Sequence, residues 1–174
     1  YHGWVYGYSV HLTCNGAGFP KLAQVETGAY SEKQAIGDKE PALLQRICPR
    51  TLTGDNGYTK ALRIRAWAKA GIALLTPAVK WVNGRYASAY HRFIKRPRNA
   101  RLLRQRRTAI EPIFDLLALI LGATGFQKQL ASHRLVNVRT CLALSVLTLQ
   151  IAMIANSIWN LPLRSISSIG VALA

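Results

Sequence analysis

The sequence predicts an α/β domain with a mixed sheet, on three observations. Apolar and polar residues alternate near the start of the chain, short apolar runs alternate with helical stretches in its middle, and helical patterning continues from Asn99 onward. With 174 residues, half of them apolar, the chain is long enough for one domain, 1–174, with a sizeable core.

The first predicted element is a β-hairpin. In VYGYSVHLTC, one face of the strand is apolar, because alternate positions are Tyr6, Tyr8, Val10, Leu12 and Cys14. NGAGFP supplies a turn, and KLAQVETG supplies a weaker second strand. The hairpin therefore has one face that can cover a core.

The middle of the chain predicts helix, strand, helix and strand in turn. SEKQAIGDKEPALLQRI is a polar helical stretch, and CPRTLTG is a short strand that ends at Asp55. TKALRIRAWAKA is a helix with Gly71 past its end, and GIALLTPA is another short apolar strand. This alternation is typical of an α/β core.

The last part of the chain is predicted to be helical, with breaks at GATGF, Gly122 to Phe126, and at Pro162. Residues 1–130 would form the α/β core, with a basic segment at 80–107. Residues 131–174 would form a C-terminal helical extension that includes an apolar helix.

The apolar helix has a second interpretation as a membrane span. Thr140 to Leu163 contains 24 residues without a charge, which is long enough to cross a bilayer. Gln150 and Asn156 make it a poor lipid-facing helix, and a helix that is apolar nearly all round can equally be buried in a core. We expect a core helix and no membrane, with a membrane-associated basic protein as the less favoured alternative.

The charge of the chain indicates a polyanionic partner. Lys and Arg number 23 and Asp and Glu only 7, for a net charge of +16. Between Asn56 and Ile110 there are 14 cations and no acid. Such an imbalance favours nucleic acid over an anionic membrane. A solvated surface is the alternative, but solvated surfaces usually mix charges of both signs and this segment does not. The predicted DNA contacts lie in KRPRNARLLRQRR and are Lys95, Arg96, Arg98, Arg101, Arg104, Arg106 and Arg107.

Asp55 is the first candidate site residue. It follows a predicted strand, and functional groups in α/β sheets gather at the carboxyl ends of strands. Asp-Asn-Gly is also a strong turn sequence, in which the carboxylate commonly bonds only to its own backbone. From the residues alone, both roles stay open.

Glu111 is the second candidate, in RRTAIEPIFDLL. Arg107 precedes it by four residues, a spacing that on a helix also fits a plain ion pair. Pro112 is easiest to accommodate in a first helical turn, so we expect Glu111 near a helix start or kink.

Four stretches together resemble the catalytic domain of DDE-class insertion-sequence transposases, in this order and over nearly the whole chain. They are WVYGYSVHLTCNGAGFP, LTGDNGY, RRTAIEPIFDLL and LVNVRTCLALSVLTLQIAMIANSIW. The family has a ribonuclease H-like fold, in which two Asp and one Glu hold two divalent metal ions. By this resemblance the second Asp is Asp55, before Gly57 and Tyr58, and the Glu is Glu111.

The resemblance implies a metal-dependent DNA transposase that cuts and joins strands by in-line phosphodiester displacement. Mg²⁺ is the implied cofactor, with Mn²⁺ as a substitute, and transposon ends and target DNA are the implied partners, with a homodimer also allowed. The expected location is the prokaryotic cytoplasm, in association with the nucleoid. WVYGYSVHLTC resembles the family's second strand, so the first strand and its Asp are expected upstream of Tyr1, and the 174-residue chain is expected to be inactive alone.

A non-catalytic basic DNA-binding module is the main alternative. In that case Asp55 is only a turn former and Glu111 only an ion-pair partner. The two functions differ in an observable way, because the module requires no metal.

Overall fold

The computed structural model of the chain describes residues 7–77, 87–122 and 134–167. Over these residues the protein is a mixed α/β structure with five α-helices and two sheets of two strands each, so the predicted α/β class is confirmed. The chain forms two compact units. Residues 1–29 and 109–174 form the first, called the hairpin unit, and residues 30–108 form the second, called the parallel-pair unit.

Parts of several predictions lie outside the described residues. They include residues 5–6 of the first predicted strand, residue 78 of the last one, residues 80–86 of the basic segment, residues 123–126 of the GATGF break, the boundary between 130 and 131, and residues 131–133 and 168–174 of the C-terminal extension. The division into an α/β core and a helical extension stays a prediction.

The predicted hairpin is confirmed. Strand β1, Tyr8–Cys14, pairs antiparallel with β2, Pro20–Thr27. The Asn15 carboxamide oxygen closes the connection by accepting the Ala17 and Phe19 N–H groups at 3.0 and 2.9 Å. Gly18 has φ +88, in the left-handed region that favours glycine.

Helix α5, Leu135–Ile158, packs on β2 and completes the core of the hairpin unit. The predicted apolar face of β1 lies against this core, which is built from Val25, Ile113, Leu117, Val138, Leu142, Leu149 and Met153. Gln150 donates to the Pro20 carbonyl at 3.0 Å, so one of the polar residues of the apolar helix serves the packing.

The parallel-pair unit follows the predicted alternation of helices and strands. Helix α1, Glu32–Ala42, starts in a capping box between Ser31 and Gln34 and continues into a π-turn at Leu43–Ile47. Strand β3, Thr51–Thr53, then pairs parallel with β4, Ala73–Leu75. Helix α2, Ala61–Lys69, lies in the connection between the two strands.

Helix α3, Ala87–Lys95, is anchored to the end of β4 by a buried tyrosine. The Tyr90 hydroxyl donates to the Leu74 carbonyl at 3.1 Å and accepts the Thr76 N–H at 3.0 Å. Leu75, Tyr90 and Ile94 form a small hydrophobic core in this unit.

Helix α4 runs without interruption over Pro97–Ile120. Of the two positions expected for Glu111, a helix start is wrong, because the helix begins at Pro97 and Pro112 lies in its interior. A kink at Pro112 stays a prediction. A proline that fixes φ is favourable at a first helical position, and Pro97 is the one that occupies it.

Candidate functional site

Asp55 lies between the end of β3 and a 3₁₀ turn at Asn56–Tyr58. Its carboxylate accepts the Asn56 N–H at 2.9 Å and so caps the turn. The side chain is nevertheless 62% exposed. Asp55 therefore fulfils the turn-forming role that Asp-Asn-Gly predicts and still presents a carboxylate to solvent.

Arg106 from α4 holds the same turn. Its guanidinium donates to the Gly54 carbonyl at 2.8 Å and lies 3.4 Å from Asp55 Oδ1. The Arg106 side chain is only 14% exposed. A phosphate contact by Arg106 would have to compete with these two interactions.

A second carboxylate, Glu32, lies beside Asp55. It packs so closely on Gly57 that a Cβ at this position would lie 1.0 Å from Glu32 Oε2, which is why glycine suits the place. Burial raises the pKa of Glu32, and the negative charge of Asp55 raises it further. Burial, with added repulsion from Glu32 and Asp55, raises the pKa of Tyr58 to about 12. The turn thus brings two carboxylates close together in a cationic protein, with Arg106 beside one of them.

Sequence reasoning did not select Glu32. It lies in the first turn of α1, directly after the N-cap Ser31, where an acid is ordinarily explained by the helix dipole. No motif connects it to Asp55, which follows 23 positions later. The one signal in the sequence that could have pointed to Glu32 is the rarity of acids, since the chain has only seven.

The Asp55 and Glu32 carboxylates fit a divalent cation in their chemistry, since Mg²⁺ prefers oxygen ligands and retains several waters. They offer two ligand groups. Within 7–77, 87–122 and 134–167, no group of three or more His, Cys, Asp or Glu side chains is placed to hold a metal ion. The pair therefore fits as a partial ligand set.

A basic surface extends from the end of α3 along the first half of α4. Leu102 and Leu103 pack against the small core of the parallel-pair unit, which turns the cations of this segment outward. We call this the basic helix surface; its exposed members are Lys95, Arg96, Arg98, Arg101, Arg104 and Arg107. Six exposed cations on 13 residues, without an acid among them, form a surface suited to a polyanion.

Glu111 is exposed on the second half of α4, in the hairpin unit. Asp115, four residues later, is also exposed, whereas Ile113 and Leu117 are buried in the core. Asp55 belongs to the parallel-pair unit, so its convergence with Glu111 on a shared metal stays a prediction.

Glu26 has a structural role in the hairpin unit. Arg139 Nη2 lies 2.7 and 2.8 Å from its two carboxylate oxygens, and Arg139 Nε donates to the Val25 carbonyl at 3.1 Å. This double contact fastens α5 to β2. Glu26 is thus engaged by a guanidinium.

Comparison with known proteins does not assign the chain to a family. No protein-family model matches it, and no curated protein or solved structure is significantly similar to it.

Proposed function

We propose that the chain is the catalytic domain of a DNA transposase of the DDE class, with a ribonuclease H-like fold, that cuts and joins DNA with the help of Mg²⁺ or Mn²⁺. The observation that carries the proposal is an exposed carboxylate, Asp55, at the carboxyl end of β3 in the parallel strand pair, in contact with Arg106 of the basic helix α4. Metal-dependent chemistry on a phosphate backbone uses a bound metal ion, and cations nearby can hold the phosphates.

The proposed roles divide between acids and cations. Asp55 and Glu111 hold the metal, as the resemblance to the family implies. A divalent ion held by these residues would activate a water or a 3′-hydroxyl and would stabilise the leaving oxygen. Arg106 positions Asp55 by contacting both the Gly54 carbonyl and the Asp55 carboxylate. The basic helix surface holds the phosphate backbone by charge.

The electrostatics of the turn support a cation there. Asp55 and Glu32 repel each other, and this repulsion adds to burial, the larger cause, in raising the pKa of Glu32. A divalent cation between or beside the two carboxylates would relieve it. We therefore expect a bound metal to stabilise the Asp55 turn.

The second candidate is a basic DNA-binding module without catalysis. Its support is the hydrogen bond from the Asn56 N–H to Asp55, because that bond alone accounts for an aspartate at this position. Both functions predict DNA binding, and only the enzyme predicts dependence on metal and on the charge of Asp55.

The proposal is tested first by the salt dependence of DNA binding. With about five phosphate contacts from the basic helix surface, log affinity of the 174-residue chain should fall with log salt at a slope near −4 to −5, equally for unrelated duplexes. The same chain should not cut those duplexes with Mg²⁺ or Mn²⁺, because only two acids of the implied triad are assigned to it. A slope near zero would contradict the assignment of DNA as partner.

A further inference from the structure

Helix α5 carries two apolar seams on opposite faces. The inner seam is buried in the hairpin unit and consists of Val138, Leu142, Ser145, Leu149, Ala152 and Asn156. The outer seam lies about half a turn away and consists of Thr140, Leu144, Leu147, Ile151, Ile154 and Ile158. The inner seam has its partner in the core, and the outer seam faces solvent.

The outer seam exposes a large continuous apolar surface. Its five large side chains are 59%, 51%, 59%, 50% and 70% exposed, in chain order from Leu144 to Ile158. That amounts to roughly 600 Å², at the upper end of the largest patch on a typical monomeric protein. It also approaches the ~800 Å² that each partner contributes to a standard interface.

The spacing of the outer seam is that of a helix that packs along another helix. From Thr140 to Ile158 the intervals are four, three, four, three and four residues, as in a heptad with apolar first and fourth positions. The inner seam repeats the same intervals, and it packs against the core of the hairpin unit. A helix with this pattern presents knobs that fit a second seam of the same kind.

We propose that the outer seam of α5 binds the outer seam of a second copy of this chain, in a dimer with two-fold symmetry. A two-fold interface brings one surface against itself, and this surface is self-complementary because residues 140–158 carry no charge. Although the chain has a net charge of +16, no like charges would therefore face each other within this contact. The dimer is independent of the proposed catalytic function.

A membrane is the other occupant to weigh, since α5 is long and apolar enough to cross one by length and composition. Spanning would require the inner seam to leave its core and Arg139 to leave Glu26. Lying on the surface would call for Lys or Arg along the edges of the apolar face, where this helix has Thr148 and Ser157. A narrow, uncharged seam with regular intervals fits a helix better than a lipid surface.

The test is the mass of the full 174-residue chain in sedimentation equilibrium, with and without Leu147→Glu combined with Ile151→Glu. We expect the wild-type chain to have the mass of two copies and the double variant that of one, because paired carboxylates would be buried at the centre of the seam. Both positions are exposed, so helix content by circular dichroism should be unchanged. Leu62→Glu, at a leucine 67% exposed in the other unit, is the matched control and should leave the dimer intact.

Measurements at high salt and with lipid vesicles distinguish a second copy of the chain from a membrane as the partner of the outer seam. Raising the salt concentration screens the repulsion between two chains of charge +16, so the dimer should persist or tighten. A wild-type chain that stays monomeric at 100 μM in high salt, or a double variant that dimerises as well as the wild type, would overturn the proposal. So would seam-dependent binding to phosphatidylcholine and phosphatidylserine vesicles by a monomer.

Discussion

A chain extended upstream through the first catalytic strand should cut DNA with Mg²⁺, and Asp55→Asn should reduce the cutting rate by on the order of 10³-fold or more. Asn retains an oxygen that can accept the Asn56 N–H, so the turn should survive while the metal loses a charged ligand. Asp55→Ala and Glu111→Gln should have similar effects. The measurement is single-turnover cleavage of a duplex, with DNA affinity measured in parallel.

The control for this series is Asp115→Asn, which removes an exposed acid four residues after Glu111 on the same helix. It should leave the cutting rate and the fold unchanged. Full activity in Asp55→Asn would identify Asp55 as a turn former only. Robust cutting by the 174-residue chain itself would show that another acid completes the site, and Glu32 is then the first to test, because it lies beside Asp55 whereas Glu26 is bound by Arg139.

Replacing Arg98, Arg101 and Arg104 together by Ala should weaken DNA binding by about 10²–10³-fold at 0.1 M salt. The salt slope should become shallower by about 2.7, since each lost phosphate contact removes roughly 0.9. The three side chains are exposed, so the unfolding midpoint should stay close to that of the wild type. Fluorescence anisotropy with a labelled duplex over a salt series measures both quantities.

A matched control removes the same charge from elsewhere in the parallel-pair unit. Arg46, Arg50 and Lys69 are exposed and lie outside the basic helix surface. Their joint replacement by Ala should change affinity far less than the first triple variant. Equal losses in the two variants would mean that DNA responds to net charge alone and that α4 has no special part.

The local patterns of the sequence predict most elements of this fold. Alternation at Tyr8, Val10 and Leu12 predicts β1 and the face it buries, because the two-residue period of a strand is unaffected by distant parts of the chain. The polar helix, β3, α2 and β4 follow the predicted order in the same way. Glu111 shows the limit of such reasoning. Pro112 suggested a helix start, and the helix continues through it.

The tertiary part of the candidate site could not be read from local patterns. Glu32 reaches Asp55 only because α1 packs beside the turn at Gly57, and Arg106 reaches it from a helix that begins 42 positions later in the chain. The outer seam of α5 is a different case. Its intervals are visible in the sequence, but a helix apolar on both faces does not indicate which seam its own unit will bury.

The most direct test of the central claim is to map a metal bound to the wild-type 174-residue chain in the absence of DNA. Fe²⁺ in place of Mg²⁺, with ascorbate and peroxide, generates radicals that cut the polypeptide close to the ion. If Asp55 and Glu111 share the metal, the backbone should be cut near residue 55 and near residue 111, and excess Mg²⁺ or Asp55→Asn should suppress both cuts together. Cuts confined to the neighbourhood of residues 32 and 55, with residue 111 untouched, would contradict the shared site.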